Sequence, residues 1–185
     1  MKKRQRQTLI FWIILVVMIV LIAAALILQM ESFAFYNNPT AGFHMKYPQK
    51  WTVKENPMEG AAVVFISPKE NELDYFQENV NIVVQDLSKK PMNLDEYSNL
   101  AITQLIAVFK SNVDMIESKS IFWANKPAHK IVYIGKGDNG ARTKLMHIWI
   151  IQRTTAYQLT YAAQEAQYDK YIGLVNTMVN SFRLN

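Results

Sequence analysis

Three histidines and a loop dense in carboxylates are the side chains here whose chemistry could extend beyond packing. His147 alternates with Leu145 and Trp149, so the three share one side of a strand. As a metal ligand or general base it would need a second histidine or carboxylate at a suitable offset. The local sequence offers none, and a partly buried histidine with a backbone partner is expected. His44 sits opposite Phe43 and Met45 and is expected to face solvent, while His129 stands beside Lys130 at a strand start. Glu70, Glu72, Asp74 and Glu78 crowd the segment "KENELDYFQEN". It lacks the spaced Asp/Asn ligands and central glycine of a calcium loop, so a solvated connection is expected. It is also the first place to look for a weak cation site.

No serine lies in a Gly-x-Ser-x-Gly elbow, and neither Ser67 nor Ser120 has a histidine beside it in sequence to act as a base. "GKGDNG" precedes no helix and reads as a hairpin turn, not a phosphate loop. Trp51, Tyr75, Phe76, Trp123 and Tyr133 could line a cavity, but aromatics in a domain of this size more often fill its core. The chain has no cysteine, which removes disulfides, thiolate metal sites, a cysteine nucleophile and an N-terminal lipidated cysteine. No residue is therefore assigned a catalytic, cofactor-binding or metal-binding role, and a non-enzymatic protein is expected.

The elements that would position these residues follow from periodicity. "GFHMKYPQKW" opens on Gly42, places Phe43, Met45 and Tyr47 on one side of a strand, stops at Pro48 and tucks Trp51 beneath the turn. A short edge strand near residues 33–36 precedes it. Segments 61–67 and 79–87 are rich in β-branched residues and read as strands. Asn93 and Glu96 form a capping box for a helix with Leu94, Tyr97, Ala101, Leu105 and Val108 on its apolar face. Four strands follow, near 113–122, 129–135, 142–152 and 156–163, with hairpin signals at Asp138-Asn139-Gly140 and, more weakly, Arg153-Thr154-Thr155. Tyr168, Tyr171, Ile172, Val175, Val179 and Phe182 then form the stripe of a closing helix. Sequential hairpins imply an antiparallel sheet covered by two helices, an α+β domain.

The charge is placed unevenly. Lys2, Lys3, Arg4 and Arg6 account for four of the 20 basic residues; the remaining 16 meet 15 acidic ones, so the body is almost neutral. A phosphate-tracking surface would want a basic stripe instead, so no nucleic-acid partner is expected. Residues 9–28 are twenty consecutive apolar residues, about 30 Å as a helix, enough to cross a bilayer. Ala23 to Ala25 could serve a signal-peptide cleavage site, but Leu26, Ile27 and Leu28 prolong the apolar run, which favours an uncleaved signal-anchor. The cations precede the span, so the N-terminus is expected in the cytoplasm and the domain on the extracytoplasmic side of the cell membrane. The expected organisation is a basic segment 1–8, a transmembrane helix 9–28, a tether 29–41 and a folded domain 42–185.

Gly42-Phe43, Tyr47-Pro48 and Trp51, then "VVFISP", "ENVNIVV", "LDEYSNLA" and the closing "QYDKYIGLVNTMVNSF", together resemble the PsbP family. The resemblance runs in order from about Phe33 to the end. It implies an antiparallel sheet sandwiched by helices. It also carries an association with photosystem II, whose extrinsic subunits of this type help retain calcium and chloride, and with a similar fold in a Ran-binding import factor. No metal-ligand positions can be matched residue by residue, so none is carried over. The expectation is a membrane-anchored domain that binds or stabilises a membrane protein complex. The alternative is a lipid or small-molecule binding protein using a pocket between sheet and helix.

Overall fold

In the computed structural model, residues 31–58, 60–110, 112–137 and 140–185 are described, together with Trp12 and residues 15–21. The chain divides into two units, Met1–Ser32 and Phe33–Asn185. In the first, residues 15–21 are helical. The expected span 9–28 lies for the most part outside the described residues. Among those described, no helix is long and apolar enough to cross a membrane.

Among its described residues the second unit holds two antiparallel sheets and two helices. Strands β1 (Phe33–Asn38) and β2 (Phe43–Pro48) pair residue for residue, and the two-residue β10 (Arg183–Leu184) takes the other edge of β2. Gly42 turns the chain between the first two with φ 75°, and its N–H donates to the Asn38 carbonyl at 2.9 Å. A side chain at that φ is strained, which is the reason for glycine. β1 thus lies inside the segment read as a tether.

The larger sheet has the order β3-β4-β5-β9-β8-β7-β6, built from Thr52–Met58, Ala61–Ile66, Asn79–Asp86, Thr155–Gln164, Arg142–Gln152, Lys126–Lys136 and Val113–Trp123. One sheet was expected and two are found. β3 is the main omission: "TVKENPM" alternates poorly, holds Pro57, and kinks at Asn56 with φ 45° where its register with β4 shifts. As the edge strand it tolerates both the proline and the bulge.

Each face of the large sheet has its own core. Helix α2 (Tyr168–Ser181) and the small sheet cover one face, with Phe43, Met45, Phe65, Tyr161, Met178 and Phe182 fully buried. Phe43 stacks on Phe182 and Phe182 on Trp123, at centroid separations of 5.4 and 4.3 Å. Trp51 lies in the same core, edge-on to Tyr171, so "GFHMKYPQKW" is framework. Tyr75 departs from expectation, being 87% exposed.

Helix α1 (Leu94–Phe109) covers the other face, over Ile131, Tyr133, Trp149 and Ala156. Its capping box forms as expected: Glu96 N–H donates to Asn93 Oδ1, and Asn93 N–H to the Glu96 carboxylate, both at 2.9 Å. Val108 was placed on the apolar stripe but is 76% exposed; Phe109 packs against Tyr133 in its place.

Candidate functional site

α1 does not seal its face of the sheet. Beneath it lies a cavity of about 300 Å³, at the small end of the range for ligand sites. Val83, Leu100, Ala101 and Leu105 give it apolar walls, while Gln85, Tyr97, Gln104, His147 and Gln158 contribute polar groups.

Strand pairing brings the polar groups together. Ile131, His147, Thr160 and Asn81 lie opposite one another in turn across β7, β8, β9 and β5. Trp149 and Gln158 form the next row, and Val83 faces Gln158 from β5. The amide nitrogen of Gln158 lies 2.8 Å from His147 Nδ1 and 3.2 Å from Thr160 Oγ1. An amide NH₂ can only donate, so Nδ1 is the acceptor and Nε2 carries the proton. Nε2–H then donates to Tyr133 Oη at 3.0 Å. Burial pushes the His147 imidazolium down to about pKa 4 and the Tyr133 phenol up to about 12, so both are neutral at physiological pH. The expected partly buried histidine is found, although its partners are side chains and not backbone. Gln85 Oε1 accepts the Tyr97 hydroxyl at 3.1 Å.

The other sequence candidates lie elsewhere. His44 is half-buried, with Nδ1 2.7 Å from Asn185 Oδ1. His129 stacks on Trp149, and its Nε2 lies 2.9 Å from Ser118 Oγ, a serine that sequence reading missed. The pair comes from neighbouring strands joined by a tight turn at Ala124 and Asn125, both at positive φ, and that turn fixes the register. The distance suits a nucleophile and base, but among the described residues no acceptor orients the second nitrogen of His129. Ser67 lies 3.4 Å from the Glu78 carboxylate.

The carboxylate loop is structural. Glu70 pairs with Lys170 and accepts from Tyr171 at 3.0 Å, and these bonds hold it below the usual carboxylate range, the Lys170 contact foremost. Asp74 accepts the Glu70 and Phe76 amides at 3.0 and 3.2 Å. Glu78 is 1% exposed, and its carboxyl is pushed up, first by burial and then by Asp74 and Glu70. No group of histidines and carboxylates among the described residues is arranged to hold a metal ion. In "GKGDNG" the Gly137 N–H donates to the Ala141 carbonyl at 2.8 Å, closing a hairpin loop; Asp138 and Asn139 lie outside the described residues.

The PsbP family model matches residues 31–184, which is nearly the whole of the second unit. The chain belongs to the PsbP family. No curated protein matches it in sequence. Among solved structures this PsbP-family domain is similar to the cyanobacterial PsbP of Synechocystis at 15% identity, covering 85% of this chain and 95% of that one with a TM-score of 0.62. LpqN of Mycobacterium tuberculosis, a protein involved in cell envelope biogenesis, is similar at 10% identity, with 84% and 91% of the two chains covered and a TM-score of 0.56. The Saccharomyces cerevisiae Ran-binding protein Mog1p is similar at 9% identity, with 84% and 96% covered and a TM-score of 0.56. At such identities the likeness is one of fold.

Proposed function

We propose that this protein is a membrane-tethered, extracytoplasmic PsbP-family domain without catalytic activity that binds or stabilises a membrane protein complex. The observation that carries this reading is the N-terminal arrangement of four cations followed by twenty apolar residues, joined to an almost neutral body. Tethering raises the effective concentration of the domain beside any membrane partner, so a weak interface suffices. Similar folds in a Ran-binding protein and in a cell envelope protein support a scaffold that works by binding. The test is crosslinking of the full-length protein in native membranes, followed by purification and mass spectrometry. One dominant membrane complex, lost when the domain is deleted but the anchor kept, is the expected result; absence of any reproducible partner overturns it.

The cavity beneath α1 favours a second reading, an extracytoplasmic carrier of a small molecule. It lies between sheet and helix, and Gln158, His147, Gln85 and Tyr97 on its lining are held by hydrogen bonds.

A further inference from the structure

We propose that the cavity beneath α1 is a binding site for a small, uncharged molecule carrying an amide-type pair of hydrogen-bond donor and acceptor; this rests on the carrier reading above. No lining residue is acidic or basic, and the lining histidine is neutral. A charged ligand would be stripped of water there without a counter-ion, which is costly.

The polar groups that remain define the ligand. The amide nitrogen of Gln158 is committed to His147 Nδ1 and Thr160 Oγ1. Among the described residues Gln158 Oε1 has no protein partner and no buried side-chain N or O lacks one, so this oxygen is accessible, on a residue that lines the cavity. With the amide nitrogen turned to the imidazole, the oxygen is the acceptor that Gln158 has left to offer. Gln85 is committed in the opposite sense: its Oε1 accepts from Tyr97, which leaves its NH₂ to donate. Gln85 pairs with Ala156 and Val83 with Gln158 on adjacent strands, so the two glutamines are diagonal neighbours on one face, about 7 Å apart. A ligand that gives a proton to Gln158 and accepts one from Gln85 is matched by a primary or secondary amide, a lactam or a ureide. Its apolar remainder would lie against Val83, Leu100, Ala101 and Leu105. A lipid chain would leave the Gln158 carbonyl oxygen without a donor.

The test uses the full-length protein, ¹⁵N-labelled in detergent micelles and titrated with benzamide, benzoate or toluene. The side-chain amide signals of Gln85 and Gln158 and the indole signal of Trp149 are followed. Benzamide is expected to shift them saturably, and Gln158→Leu and Gln85→Leu each to weaken its apparent affinity about tenfold. Gln85 is on the exposed rim, so its variant remains informative if Gln158→Leu disturbs the fold. Equal binding of benzoate, or benzamide affinity unchanged in both variants, overturns the proposal. Saturable binding of toluene alone overturns the amide assignment but leaves the carrier reading standing. No saturable shift with any probe removes both.

Discussion

The indole N–H of Trp149 donates to Ser98 Oγ at 2.8 Å, and Ser98 donates in turn to the Leu94 carbonyl at 2.6 Å. This chain of two bonds fastens the first turns of α1 to the centre of the large sheet, in a core where Trp149 is fully buried and Ser98 5% exposed. Ser98→Ala strands the indole donor away from water. Loss of about 1–3 kcal/mol is expected, read as a lower urea midpoint at unchanged m-value. A midpoint within error of wild type would show that the donor has found another partner.

Acid should weaken the domain through His147. Its pKa is about 4 in the folded state against 6.5 for an unperturbed imidazole. The unfolded chain therefore takes up a proton first as the pH falls. This contribution is complete above pH 6.5 and lost progressively towards pH 4, amounting to about 3 kcal/mol. Urea titrations between pH 7 and pH 4 should show that slope in wild type and a flatter one in His147→Leu.

Glu78 works in the reverse direction. Its folded pKa is raised above the ordinary value of 4.5, chiefly by burial, so its stabilising contribution is present below that pH and lost as the pH rises through the folded pKa. Glu78→Gln should match wild type in acid and become the more stable protein towards neutrality. Thermal melts across that window decide it, and parallel curves would show that the carboxyl titrates as an exposed one does.

Gly135 has no room for a side chain. A Cβ there would stand 2.5 Å from Cε1 of Phe109, the last residue of α1. Gly135→Ala should displace Phe109 from Tyr133, cost about 1–3 kcal/mol and speed amide exchange in the final turn of α1. Unchanged exchange there would mean that the strand yields and the helix does not.

The helices and paired strands were legible because local rules governed them: the Asn93–Glu96 box, the Tyr168 to Phe182 stripe, and alternation at Phe43, Met45 and Tyr47. β3 was hidden because an edge strand need not alternate cleanly, and β10 because two residues carry no period. The cavity was hidden for another reason. The partners of His147 are Tyr133, Gln158 and Thr160, 11 to 14 residues away and on other strands. No local offset reveals them. Only the register of two hairpins does, and one of those hairpins carried a weak turn signal. Val108 shows the opposite error, a residue at helical spacing in the last turn, where Phe109 and not Val108 meets the sheet.

The pairing of β10 with β2 joins residues made far apart in time. His44 and Asn185 are 141 positions apart, and the Asn185 N–H donates to the Gly42 carbonyl at 3.0 Å. During synthesis one edge of β2 therefore waits, unpaired, while the whole seven-stranded sheet and both helices are made. An open strand edge beside apolar Phe43 and Met45 invites pairing with a neighbouring chain. The newborn domain is most vulnerable to its own copies in that interval, and the two residues of β10 end it.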